Sequence, residues 1–101
     1  MIVSASWSVP AGHPALAGHF PGQPIVPGVM LLAEVARLAR AELGLNESAL
    51  RWMRVKFLSP VEPDQRVTIA LDGSAEQFSF RVSTGAGQMV ATGQAKRGPL
   101  A

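Results

Sequence analysis

A chain of 101 residues with 48% hydrophobic but only 16% charged side chains is a single domain, and it carries more apolar surface than so small a body hides alone. A homo-oligomer is therefore expected. The formal charge is only +2 and the basic residues form no run, which gives nucleic-acid binding no support. The absence of cysteine excludes disulfides, thiolate nucleophiles and cysteine-held metals, and no leader or membrane-length apolar run is visible, so a cytoplasmic protein is expected.

In chain order, residues 2–9 alternate, with Val3, Ala5, Trp7 and Val9 on one face and Ser4, Ser6 and Ser8 on the other, as in a strand buried on one side. Pro10 ends it. A Gly- and Pro-rich loop runs from Ala11 to Pro27, of a length more often functional than idle. A helix is predicted from Gly28 to Leu43, stopped by Gly44, with Asn46 or Ser48 in the following turn. Val29, Met30, Leu31, Leu32, Val35, Ala36, Leu38, Ala39 and Leu43 leave only a narrow polar sector of Glu34, Arg37, Arg40, Ala41 and Glu42. So apolar a helix is wrapped by other elements. The remainder reads as strands at 50–57, 66–71, 77–83 and 88–95, with turns at Asp72-Gly73 and 84–87 suggesting an antiparallel meander. One buried helix against a sheet of about five antiparallel strands is an α+β domain. It is expected to span residues 1–96, with 97–101 a flexible tail.

The stretch Gly18 to Glu34 organises the rest. Pro21, Pro24 and Pro27 each fix φ and push the preceding residue out of the helical region, so the backbone leading from His19 to the helix is stiff and holds that histidine in place. Gly28 then opens the helix with its first-turn N–H groups unsatisfied at the positive end of the dipole. A histidine beside such donors is the minimum equipment for acid/base chemistry on a thioester or similar carbonyl.

Gly-His-Phe-Pro-Gly-x-Pro-x-x-Pro-Gly-Val, from Gly18 to Val29, resembles the active-site segment of the (3R)-hydroxyacyl-acyl-carrier-protein dehydratases, and Val55 to Gln65 is similar to that family's strand and turn after the helix. The likeness covers residues 2 to about 96 and implies a hotdog fold, in which an antiparallel sheet wraps a long helix. It also implies a dimer that joins two sheets and places acyl tunnels at the interface. His19 then moves the proton at C2 of the substrate, and the N–H of Gly28 or Val29 polarises the thioester carbonyl. Phe20, Pro21, Gly22, Pro27, Ala33 and Arg37 are the other substrate-binding positions the resemblance implies. The family's second catalytic group is a helix carboxylate supplied by the partner subunit, and at that position this chain has Ala33. Glu34 is the nearest carboxylate, rotated by ~100° about the helix. Arg37 stands where the family commonly has glutamine. The chain begins at what resembles the second strand of longer dehydratases, so a trimmed relative is expected.

The expected reaction is dehydration of a (3R)-3-hydroxyacyl thioester to the trans-2-enoyl thioester in fatty acid or polyketide-type synthesis. It needs no cofactor beyond the phosphopantetheine of acyl carrier protein or CoA, and no metal. The acid is Glu34, after a register adjustment, or water. The alternatives are a non-catalytic acyl-binding or heterodimer-scaffold protein, favoured by Ala33, and a hotdog thioesterase. Glu34 also reads as a surface ion pair with Arg37, His13 as a solvated loop residue, and Arg37 and Arg40 as a solvated face or contacts to a phosphate or an acidic carrier. Arg51, Arg54 and Lys56 read as the polar side of a strand, and Trp7, Trp52, Phe78 and Phe80 as core or interface.

Overall fold

The computed structural model describes residues 2–16, 25–45 and 49–98. In chain order these form β1 (Ile2–Trp7), a 3-10 turn (Pro14–Leu16), α1 (Gly28–Leu43), β2 (Leu50–Phe57), β3 (Val67–Gly73), β4 (Gln77–Thr84) and β5 (Met89–Arg97). The helix has the predicted bounds. Pro27 precedes it in extended conformation, and Gly44 ends it at φ 75°, a left-handed conformation glycine adopts without steric cost. The expected turn residues Asn46 and Ser48 lie outside the described residues.

The sheet order is β1-β3-β4-β5-β2, with every neighbouring pair antiparallel. The meander holds for β3, β4 and β5, whereas β2 crosses to the far edge beside β5 and β1 closes the other edge beside β3. Along β3 and β4, Val67, Ile69, Leu71, Phe78, Phe80 and Val82 are buried while the intervening residues are exposed or partly so. Leu31, Val35, Leu38 and Ala39 of α1 join them in one core cluster, at the spacing of a single helical stripe. The helix is not wrapped all round: Val29, Ala33, Arg37 and Arg40 are exposed. Among the described residues no helix is long and apolar enough to cross a membrane.

Strict alternation fails at one place in β2, and the failure positions the site. Trp52 pairs with Ala95 and Phe57 with Ala91, so five steps along β2 match four along β5. The extra residue is a bulge between Met53 and Lys56, with Arg54 at φ 55°, a region a non-glycine side chain enters at a cost of about 1–3 kcal/mol. Because Ala91 and Ala95 are both buried, Trp52 and Phe57 share the helix side despite their odd separation. Without the bulge Phe57 would face outward. β5 carries its own irregularity opposite Val82 and Ser83, which places Val90 and Ala91 side by side in the core. At the same register Gly93 leaves room for Phe80, whose ring atoms would lie 2.6 Å from an added Cβ. Trp52 meets that ring edge-on at 5.7 Å. β5 runs past its expected end at Ala95 to Arg97, whose N–H donates to the Glu76 carbonyl at 2.9 Å.

Candidate functional site

The start of α1 carries no side-chain cap, so the N–H groups of Gly28 and Val29 have no acceptor within the helix. The chain reaches this point under two tethers. The Val26 N–H donates to the Val61 carbonyl at 2.8 Å, and the Leu58 N–H donates to the Val90 carbonyl at 2.7 Å. These bonds hold segments 25–29 and 57–61 as facing walls. The second wall is braced in turn at Asp64, whose N–H donates to the Val9 carbonyl at 2.7 Å and whose Oδ1 accepts from the Ala11 N–H at 3.3 Å.

Between the walls lies a groove of about 500 Å³, lined by residues 25–29, Leu31 and Leu32 on one side and by residues 57–61 and Val90 on the other. The lining is almost wholly apolar apart from its backbone and Ser59. Phe57, turned inward by the bulge, lies over the helix start: a Cβ added to Gly28 would sit 2.8 Å from Phe57 Cζ and 3.0 Å from Cε1. Any larger residue at position 28 would therefore have to displace this ring. Val29, Phe57 and Leu58 remain 75%, 53% and 54% exposed, so the mouth is open. The arrangement can hold an acyl chain and present its carbonyl oxygen to the Gly28 and Val29 N–H groups at the helix start.

Of the site residues expected from sequence, Pro27, Gly28 and Val29 come together at this mouth. His19, Phe20, Pro21 and Gly22 lie outside the described residues. Ala33 is exposed on the helix face shared with Val29 and Arg37, and neither it, Glu34 nor Arg37 lines the groove. The Glu34 carboxylate instead accepts two hydrogen bonds from Arg37, from Nε at 2.9 Å and from Nη2 at 2.6 Å. Its side chain is only 15% exposed against 64% for Arg37. The hydrogen bonds Arg37 donates to Glu34, and then the charge of Glu34, raise the already high Arg37 pKa, so this guanidinium keeps its charge at any working pH. Phe57, Leu58, Val61 and Val90 were not foreseen as site residues. A signal was available in the spacing of Arg51, Arg54 and Lys56, which breaks period two and so marks a bulge.

Comparison with known proteins agrees with this geometry. The ApeI-like family, described as ApeI dehydratase, matches residues 2–94. A 3-hydroxyacyl-[acyl-carrier-protein] dehydratase, FabZ, of Chlamydia trachomatis is 36% identical over 81 residues, which is 71% of this chain and 53% of that protein. The chain thus spans about half the length of that curated relative. Among solved structures, the dehydratase heterocomplex ApeI:P from Xenorhabdus doucetiae superposes with a TM-score of 0.84 at 22% identity, covering 97% of this chain and 88% of that one. The (R)-hydratase of A. caviae involved in PHA biosynthesis follows at 0.76 and 21%, covering 94% and 91%. These two likenesses establish a hotdog fold.

Proposed function

The chain belongs to the ApeI-like dehydratase family, and from that premise we propose that it dehydrates a (3R)-3-hydroxyacyl thioester to the trans-2-enoyl thioester, in the cytoplasm, with the substrate carried on acyl carrier protein. The observation that carries this reading is the apolar groove ending at the uncapped start of α1, a few residues after His19 in the chain. The acyl chain lies between the walls, and its thioester oxygen accepts from the N–H groups of Gly28 and Val29. Those donors stabilise the negative charge that develops on this oxygen as His19 takes the C2 proton. The C3–O bond then breaks. The leaving hydroxyl takes a proton from the imidazolium or from water and departs as water. Glu34 has both oxygens engaged by Arg37, which leaves it a positioning partner for Arg37 rather than the acid.

The test is enoyl absorbance from purified protein given short 3-hydroxyacyl thioesters. Turnover supports dehydration. No turnover at any chain length, from folded protein that still binds a saturated acyl thioester, would instead leave an acyl-binding protein, and release of free thiol would mean hydrolysis. In the same assay Phe57→Ala is expected to lower kcat/KM for the shortest substrate by about tenfold, the worth of one aromatic packing contact. The same change should move the optimum to longer chains, each newly buried methylene adding about fourfold at ~0.8 kcal/mol. An unchanged chain-length profile would remove Phe57 from the acyl wall.

Among the described residues Val29, Phe57 and Leu58 form a cluster of exposed apolar side chains at the mouth, the kind of surface a partner covers. We take a second copy, or a related hotdog chain, as its cover; the Xenorhabdus doucetiae dehydratase is itself a heterocomplex. Sedimentation should give a dimer for the wild type and a shift toward monomer for Leu58→Asp.

A further inference from the structure

The outer face of the sheet, turned away from α1, carries a charge arrangement for which the acyl reaction has no use. Register across β4, β5 and β2 sorts it into rows: Gln77, Lys96 and Arg51; Ser79, Gln94 and Met53; Arg81, Thr92 and Lys56. The bulge adds Arg54, which lines one shallow depression of about 570 Å³ together with Lys56, Arg81, Ser79, Thr92 and Gln94. Among the described residues none of these five cations has a carboxylate partner. The one carboxylate on the face among the described residues is Asp72, a strand further away on β3, where it pairs in register with Ser79. Glu76, in the turn nearby, is taken by Arg97.

This arrangement costs stability. Lys96 stands directly opposite Arg51, and like charges facing one another across a ladder are destabilising. Charges on an exposed edge strand discourage stray pairing, which accounts for Arg51, Arg54 and Lys56 on β2. It does not account for Arg81 and Lys96 on the interior strands β4 and β5.

We propose that this face docks an acidic helix of a partner protein. Three strands about 4.8 Å apart, with same-face residues repeating about every 6.8 Å, give a cationic area of roughly 10 by 14 Å. That is the width of one helix, and carboxylates four residues apart on a helix recur at about 6 Å, close to the row spacing. Met53 is the single apolar side chain in the three rows, so the face offers little to insert into a bilayer. Ser79, Thr92 and Gln94 supply neutral hydrogen-bonding groups between the charges.

The test is titration of the full chain with a synthetic helical peptide bearing glutamates at i, i+4 and i+8. The comparators are a peptide of the same composition broken by prolines, phosphatidylserine vesicles, and duplex DNA. The helical peptide should bind best, and an Arg54→Gln, Arg81→Gln double variant should weaken it at least tenfold. Arg66→Gln, an exposed cation outside the face, should leave it unchanged. Circular dichroism establishes that each variant is folded. Equal binding of the proline-broken peptide, tighter binding of vesicles or DNA, or an effect of Arg66→Gln as large as that of the double variant would each overturn the proposal.

Discussion

His19→Ala is expected to lower dehydration of a 3-hydroxyacyl thioester by about 10²- to 10⁴-fold, the usual contribution of a positioned general base, while Glu34→Ala leaves the rate within about threefold of wild type. The contrast follows from the roles proposed for the two groups. His19 stands nine residues before the helix start at which the thioester oxygen would be held. Glu34 lies one residue beyond the position from which the family's carboxylate acts, is absent from the groove lining, and gives both oxygens to Arg37. Losing Glu34 frees an already exposed guanidinium into water, which costs little. Initial rates of enoyl formation for both variants decide the matter. A Glu34→Ala rate as low as that of His19→Ala would make this carboxylate the acid and would require the ion pair with Arg37 to open when substrate binds.

Gly73→Ala should lower stability by about 2–3 kcal/mol, near the top of the range for a backbone held in a sparsely populated region, and with it the melting temperature by about 10–20 °C for a domain of this size. Gly73 ends β3 at φ 144°, where the chain turns back toward its register partner Phe78. A Cβ there would come within 2.7 Å of Phe78 Cα, with the Gln77 carbonyl oxygen closer still. Both neighbours are backbone and cannot rotate away. Phe78 is 2% exposed, so relieving the clash would drag its ring out of the core. Gly85→Ala is the control, because nothing lies within 4 Å of its added Cβ. Thermal unfolding of the two variants should separate them by more than 8 °C, and a Gly73→Ala transition within 3 °C of wild type would count against this account.

Much of the domain is legible from residues close in sequence. Gly44 stops the helix because of its own backbone freedom, and Pro27 starts it through its own ring. The burial pattern of β3 and β4 repeats their alternation residue by residue. The likeness of residues 18–29 and 55–65 to the hydroxyacyl dehydratases led to the family that matches residues 2–94. The elements of one end of the proposed site, prolines, a histidine and an uncapped helix start, are likewise written into one continuous stretch.

Tertiary structure alone decided the second wall. Phe57 faces Gly28 because β2 spends one more residue than β5 over the same length, and a register of this kind exists only once two strands distant in sequence have paired. The edge position of β2 was hidden for the same reason: hairpin turns specify neighbours, whereas a crossover past three strands is set by which edge the helix connection reaches. Glu34 carries two readings because helix spacing allows both a pair with Arg37 and a site turned toward a partner; within one chain the pair with Arg37 is made, and the rate of Glu34→Ala tests the other. The sequence thus determined the elements and the chemistry of one end of the site. Packing between remote segments determined its shape, because pairing register and ring contacts are properties of two pieces of chain at once.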